Sequence, residues 1–512
     1  MWRLLFFVAM PLWGEDVFVE EGDVGYLEQR LDDGGVLRDL SLRWRVRGAE
    51  KSWERLQVYQ RVEWKPRDGQ AFFGLVERDP GEREWRDFSA FYYRVAGKMG
   101  EVVIGDLRPG FGAGVVFGRG RRSSVNARVP TADSARLEYR SSGENAALRG
   151  VMWRYGKGRW EGVLLGGRAR RDGRLDDAGR VRSLPEGGYH VTATEVAGKD
   201  VLALDGLAGR VRWRGARWQW GITALGLDFS RELDLRRKGR TPWGFVGGQQ
   251  QMGAVDVRGD WGRVWVAAEA ARDGAGRWGM VGAVRMRIGG RQARLLGRYY
   301  APGFHSFLGA APGASGMQNE LGGGVDIRGR RWRVYAEIYR RPQRSYFVPV
   351  AATYATWGGE RGGRVGAVDW RGQWQGRLRP RWRDGGLQPE RSQRLRLSAD
   401  RAGWRWRGEI QRSRGEWGAL GSARYRRRWL VLHVSRFGTG SYATRIYEYE
   451  ADLPGTVSIR PLYGSGWRGY AQVSCRWQGW TLSGRYRLQW DRRIRRYGGV
   501  QLDWAYGAID KH

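Results

Sequence analysis

The sequence predicts an all-β fold, a large transmembrane antiparallel β-barrel of roughly 22–24 strands, each about ten residues long. Three observations predict it. Apolar and polar residues alternate with a period of two in segment after segment, and arginine dominates the polar face. Trp and Tyr gather at segment ends, as in Trp332 and Tyr339, Trp404, Trp477 and Trp480, Trp490, and Trp504 and Tyr506, where the interfaces of a membrane place such rings. No apolar run approaches the roughly 20 residues of a membrane-crossing helix, and no repeat of about 40–45 residues marks the blades of a soluble propeller.

Taken in order, residues 1–14 (MWRLLFFVAMPLWG) carry one cation, an apolar stretch and a small residue before Glu15-Asp16, the pattern of a secretory signal peptide. Residues 15–35 read as a short acidic periplasmic segment, with eight acidic residues and one basic between Glu15 and Asp33. The barrel is expected over 36–512. Leu40, Leu42, Trp44 and Val46 alternate with Ser41, Arg43, Arg45 and Arg47, and Leu56, Val58 and Val62 with Gln57, Tyr59 and Arg61. Later, Trp332, Val334, Ala336 and Ile338 oppose Arg333, Tyr335, Glu337 and Tyr339, and Leu482, Tyr486 and Leu488 oppose Ser483, Arg485 and Arg487. Short turns are expected at Arg47-Gly48, around Gly408 and at Trp477-Gln478-Gly479. Long polar loops are expected at 170–200, 231–247, 302–317, 341–360 and 452–464. Short connections at one end and long ones at the other are the porin arrangement.

Val102 to Gly120 breaks the alternation. Its glycines at 105, 110, 112, 114, 118 and 120 exclude a helix and suit backbone packed closely on other backbone. Residues 107–134 are therefore expected to fold inward as a plug, with Asp106, Arg108, Arg119, Arg121 and Arg122 as contacts in the lumen. An apolar face turned to lipid forces the sheet to close, since unpaired backbone in hydrocarbon costs several kcal/mol per group. Closure turns Arg333, Arg405, Arg407, Arg485 and Arg487 towards the lumen. The net charge of +36 points to anionic partners. The single Cys475 forms no internal disulfide.

Three stretches together resemble a known family. They are Ile104-Gly105-Asp106 continuing through Gly110-Phe111-Gly112 to Gly120; Tyr300 to Ser306 (YAPGFHS) followed by Gln318-Asn319-Glu320; and Arg445 to Gly455 (RIYEYEADLPG) followed by Leu462-Tyr463-Gly464. In that order they are similar to the barrel portion of bacterial outer-membrane proteins labelled helix-hairpin-helix or competence-type DNA-binding. The resemblance implies an outer-membrane barrel whose activity is not established. The stretch between Gly14 and Leu40 has no room for helix-hairpin-helix units, so the DNA-binding label does not carry over.

Catalytic chemistry has few candidates among four histidines (190, 305, 433 and 512). His433-Val434-Ser435 is similar to the strand-borne pair of outer-membrane phospholipase A, but its register turns both side chains to the lumen, away from lipid. His305, Asn319 and Glu320 read as loop-packing residues, as do Tyr447, Tyr449, Glu450 and Asp452. Glu448, Glu450 and Asp452 are expected to chelate a cation or to pair with Arg436, Arg445 and Arg460. The glycines at 110 and 112 do not continue into a phosphate-loop spacing.

The reading is a non-enzymatic outer-membrane barrel with an arginine-rich, partly plugged lumen that passes or binds anionic solutes or polymers. No cofactor and no metal are expected. The expected partners are outer-membrane lipid and lipopolysaccharide, the barrel-insertion machinery and an anionic ligand, with nucleic acid left open. The alternatives are a structural or assembly component without transport, a membrane lipase, and a soluble β protein that binds nucleic acid.

Overall fold

The computed structural model describes residues 40–49, 56–119, 133–185, 187–236, 241–314, 316–345, 347–491 and 493–506. The expected signal peptide and acidic segment, and Arg121 and Arg122, lie outside them. Antiparallel strands follow one another in chain order, and the first, Leu40–Ala49, pairs with the last, Ile494–Tyr506, from Leu40↔Tyr506 to Ala49↔Tyr497. The sheet thereby closes into a barrel of 24 strands. The short strands Arg174–Leu175 and Val181–Ser183 belong to a loop. The hairpin Ile446–Ala451/Val457–Leu462 pairs only with itself. Among the described residues no helix is long and apolar enough to cross a membrane.

Burial follows the alternation in the inverted sense. On strand Leu202–Arg214, Leu207 is 72% exposed and Val211 48%, whereas Arg210 is 4% exposed. The same inversion sets exposed Leu395 and Leu397 beside buried Glu409, and exposed Leu482 and Leu488 beside buried Ser483 and Arg485. A soluble sheet hides its apolar face; this one turns it outward, where only hydrocarbon is a favourable solvent. The protein is an outer-membrane β-barrel.

Strand lengths run from 8 residues in Gly100–Leu107 to 17 in Trp218–Asp234. Tight turns such as Gln478-Gly479 and Asp384-Gly385 hold both residues at positive φ, the mirror-image geometry that suits twisted antiparallel strands. Two expected turns are not turns. Arg47-Gly48 lies within strand Leu40–Ala49, and Gly408 sits midway along Trp404–Ser413. Glycine there continues the ladder because both neighbouring strands offer it complete pairing. The loop expected at 341–360 shortens to 342–351, since strand pairing resumes at Ala352. Residues 452–464 supply one arm of the separate hairpin instead of an open loop.

The inward face is not arginine throughout. From strand Gln70–Arg78 to strand Arg291–Tyr300 many inward side chains are apolar and fully buried, among them Phe73, Val103, Met152, Leu165, Leu204 and Val281. They form one core with residues that are not in the wall at all: Phe111, Ala113, Val115, Val116 and Phe117.

Candidate functional site: the barrel interior

The segment after strand Gly100–Leu107 leaves the wall and runs against inward-facing residues of distant strands. Glu269, on strand Val264–Asp273, accepts the backbone N–H groups of Ala113, Val115 and Val116 at 2.5, 3.0 and 3.2 Å. Gly112 has φ +54°, and a Cβ there would lie 2.5 Å from the Glu269 carboxylate. At Gly118 a Cβ would lie 2.4 Å from the Ala310 nitrogen. These two glycines therefore permit the close approach that the composition of the segment suggested.

Asp133 ties the returning chain to the wall. It pairs with Arg210, Arg212 and Arg258 at 2.9, 3.1 and 3.0 Å, and accepts the Gly112 N–H at 3.1 Å. Arg119 donates to Ser134 Oγ and to the Glu138 carbonyl, both at 3.0 Å, and Arg108 lies over the Tyr139 ring. Asp106 corrects an expectation. It shares the outward face with Ile104, accepts the Phe91 N–H and pairs with Arg149 at 3.0 Å, so it is not a lumen contact. The alternation that puts Ile104 outside carries Asp106 with it, and the Arg149 guanidinium covers it.

Loop 301–319 packs onto the same segment. Gly118 N donates to the Leu308 carbonyl at 3.0 Å and Ala310 N to the Gly114 carbonyl at 2.9 Å. His305 Nδ1 is 2.8 Å from Gln318 Nε2, and its carbonyl accepts Gln250 Nε2 at 2.8 Å. The Asn319 side chain accepts the Gln343 N–H and donates to its carbonyl at 2.9 and 2.8 Å. Glu320 pairs with Arg298, which also meets Glu337. Two of the three stretches that carry the family resemblance thus lie against each other.

The third stretch folds inward elsewhere. In hairpin Ile446–Ala451/Val457–Leu462, Glu450 meets Arg468, Arg485 and Arg487 of the wall, and Asp452 meets Arg485 at 3.0 Å and Arg47 at 3.6 Å. Two of the three anticipated arginines lie elsewhere. Arg436 stacks over Trp467, Arg445 donates to the Tyr447 hydroxyl, and the Arg460 side chain lies outside the described set. Tyr449 is exposed. The Tyr447 carbonyl accepts a bond from Arg407 at 3.0 Å.

His433 and Ser435 both bond to Glu448, at 3.1 and 2.8 Å. A serine nucleophile needs its proton directed at the histidine. Here it goes to the carboxylate, inside the barrel, so the pair lacks the arrangement of a lipase.

The arginines read from the sequence are mostly paired. Arg333 meets Asp326 at 2.6 Å, Arg405 meets Asp400 at 2.6 Å, and Arg407 shares Glu409 with Arg396. A second set is different. Arg371, Arg379, Arg394 and Arg424 also face inward by register, opposite the outward Trp374, Leu395 and Ala423, and none has a carboxylate within ion-pair distance among the described residues. The eight positions from Arg371 to Arg379 span about 26 Å of strand. The alternation Trp370, Trp374, Leu378 against Arg371, Gln373, Gln375, Arg379 was legible in the sequence; which arginines lack acids was not.

A fourth cluster lies in the outer loops. Donor atoms of Glu82, Asp87, Glu144 and His190 all fall within 4.8 Å of one another. His190 bonds Asp87 through Nδ1 and Asp172 through Nε2, the latter at 3.2 Å, and Lys199 meets Asp87 as well. The three carboxylates are donors that a hard cation accepts, but here the Lys199 ammonium already meets Asp87. Burial and the neighbouring Asp79 and Asp87 push Glu82 up to about 7. Burial together with Asp87, Glu82 and Asp172 pushes Glu144 up to about 9. Burial alone would lower His190, but the Asp87 bond and the Asp172 charge raise it.

All three groups hold protons in the folded loops to higher pH than in an unfolded chain. Their contribution is full below the ordinary glutamate value of 4.5 and falls away as pH rises to about 9. Hydrogen exchange in 79–87 and 187–200, corrected for intrinsic pH dependence, is expected to lose about tenfold or more of its protection between pH 5 and pH 9, the equivalent of about 1.4 kcal/mol. Constant protection across that range would show that the cluster does not bind these protons.

No family model matches the sequence, and no curated protein matches it. Solved structures do. The barrel is similar to the translocation pore of the P pilus usher PapC, at 11% identity over 92% of this chain and 99% of that one, with a TM-score of 0.35. It is also similar to the FrpB iron transporter of Neisseria meningitidis, at 10% identity over 94% and 83%, TM-score 0.38. OccAB2 of Acinetobacter baumannii matches at 8% identity over 59% and 92%, TM-score 0.28. At these identities the likeness concerns the fold alone.

Proposed function

We propose that the protein is a non-enzymatic outer-membrane barrel that passes or binds anionic solutes along the wall between strands Val368–Arg383 and Glu416–Arg426. The rest of its lumen is filled by a plug made of residues 107–119 and the chain that returns from Asp133. The observation that carries this reading is the row of Arg371, Arg379, Arg394 and Arg424, inward and without carboxylates among the described residues. Uncompensated guanidinium groups along a water-filled path raise the local concentration of anions and repel cations. The paired arginines around Glu409, Asp326 and Glu450 act instead to rigidify wall and hairpin. Membership of the family that the three stretches resemble is part of the same proposal; its DNA-binding label is not.

Planar-bilayer recording across a potassium chloride gradient tests it. Purified protein is expected to give a reversal potential on the chloride side, with chloride preferred over potassium by a factor of about five or more, and the preference is expected to shrink at 1 M salt as screening shortens to about 3 Å. A cation preference, or none at low salt, would sink the reading.

A further inference from the structure

The rim of the barrel, where strand ends project past one another, holds a charged notch. Residues 386–391 rise past the end of strand Trp404–Ser413, whose pairing with them begins only at Ser392↔Ser413. Beside this overhang lies a cavity of about 430 Å³ lined by Arg381, Arg383, Arg391, Arg412 and Arg414, with Glu390 as the single carboxylate of the lining. Glu390 bonds Arg414 at 2.8 Å and lies 3.6 Å from Arg381. Arg391 and Arg412 have no acidic partner among the described residues. By register both share the outward face, Arg391 with Leu387 and Leu395, and Arg412 with Trp406 and Ile410. Arg412 also lies over the ring of Trp417, 5.3 Å from its centroid.

Depth decides what such arginines meet. The eight positions from Trp404 to Arg412 span about 26 Å of strand. At the usual tilt that is about 20 Å of membrane depth, close to the roughly 25 Å apolar band of an outer-membrane barrel. Below the notch the outward side chains are Trp374, Leu395, Leu397, Trp406 and Ile410, all exposed. A guanidinium in mid-membrane is strongly unfavourable, but at the edge of the band the penalty nearly vanishes and a phosphate can be met in bidentate fashion.

We propose that this notch binds the phosphorylated headgroup of an outer-leaflet glycolipid, with Arg391 and Arg412 taking the phosphate and the apolar face below them taking the acyl chains. The occupant carries both parts, which a soluble anion does not. Charge supplies the complementarity: two outward guanidinium groups, neither with an acidic partner among the described residues, beside the rim arginines Arg381, Arg383 and Arg414 that gather on Glu390. Arg391 and Arg412 face lipid, whereas Arg381, Arg383 and Glu390 share the register face of Arg379, which Glu390 opposes directly, and close the notch at the barrel rim.

Native mass spectrometry of the detergent-purified barrel with added diphosphoryl lipid A tests it. Wild-type protein is expected to hold one lipid A adduct that falls at least tenfold in Arg391→Gln/Arg412→Gln, falls as far when the lipid is fully dephosphorylated, and survives 10 mM inorganic phosphate. Arg391→Lys/Arg412→Lys should keep most of it. Heat-modifiable migration on cold gels verifies that each variant is a folded barrel. An adduct equal in wild type and the glutamine variant, or equal with the dephosphorylated lipid, overturns the site. Displacement by inorganic phosphate overturns the lipid as occupant. The chloride preference of the glutamine variant should equal that of wild type, so this proposal and the anion-path reading can fail separately.

Discussion

A barrel carrying Arg371→Glu, Arg379→Glu and Arg394→Glu is expected to prefer potassium over chloride. Each of these side chains faces inward without a described carboxylate partner, so its charge acts on whatever passes. A unit charge about 4 Å from an ion is worth about 1 kcal/mol even at the dielectric of water. Reversing three of them changes the charge of the path by six units. Screening at 0.1 M salt removes much of the long-range part, but about 1 kcal/mol remaining at each of three sites sums to about 3 kcal/mol, above the roughly 1.4 kcal/mol of a tenfold change. A shift in the permeability ratio of tenfold or more is therefore expected, read as a sign change of the reversal potential. Arg333→Gln gives the contrast. It removes one of three guanidinium groups gathered on Asp326, on a strand outside the row, and is expected to shift the ratio by less than twofold. If the triple variant stays anion-selective, the ions do not travel along this wall.

Glu269→Ala is expected to open the lumen. Its carboxylate is the common acceptor for three consecutive backbone contacts of the inward segment, at Ala113, Val115 and Val116. Without it those buried N–H groups lose their partner, at about 1–3 kcal/mol each. The loss falls on a segment whose other ties are Asp133 with its three arginines and the backbone bonds to loop 301–319. Single-channel conductance is expected to rise several-fold, and cells producing the variant should become sensitive to antibiotics too large for general porins. Glu269→Gln keeps one carbonyl oxygen and should fall between. The wall itself should survive, because Glu269 contributes to its ladder through backbone, paired with Asp256 and Val281; retained heat-modifiability measures this. Unchanged conductance in a folded Glu269→Ala barrel would show that the inward segment does not close the path.

The alternation from Leu40 to Tyr506 was sufficient to read the class of fold, the lipid-facing side chains and the closure. Each depends on a local pattern of period two and on a solvent with no hydrogen bonds to offer. The glycine-rich stretch announced close backbone contact; at Gly118 it is there, against the Ala310 backbone, while Gly112 lies against the Glu269 carboxylate. Strand ends were less legible: Arg47-Gly48 and Gly408 look like turns, and only pairing on both sides keeps them in the ladder.

Which groups meet inside the barrel was decided by tertiary structure. Glu269 meets Ala113 across 156 positions of sequence, Arg43 meets Asp503 across 460, and Glu450 meets Arg485 across 35. Arginine is equally suited to a carboxylate, to solvent or to a ligand, so a row of inward arginines in the sequence does not reveal which are neutralised. That depends on where Asp133 and the acidic hairpin Ile446–Ala451 come to rest once the wall has closed. The outside of this protein follows from its local pattern because lipid imposes one rule everywhere; the inside does not, because each pairing there is a long-range choice among many equivalent guanidinium groups.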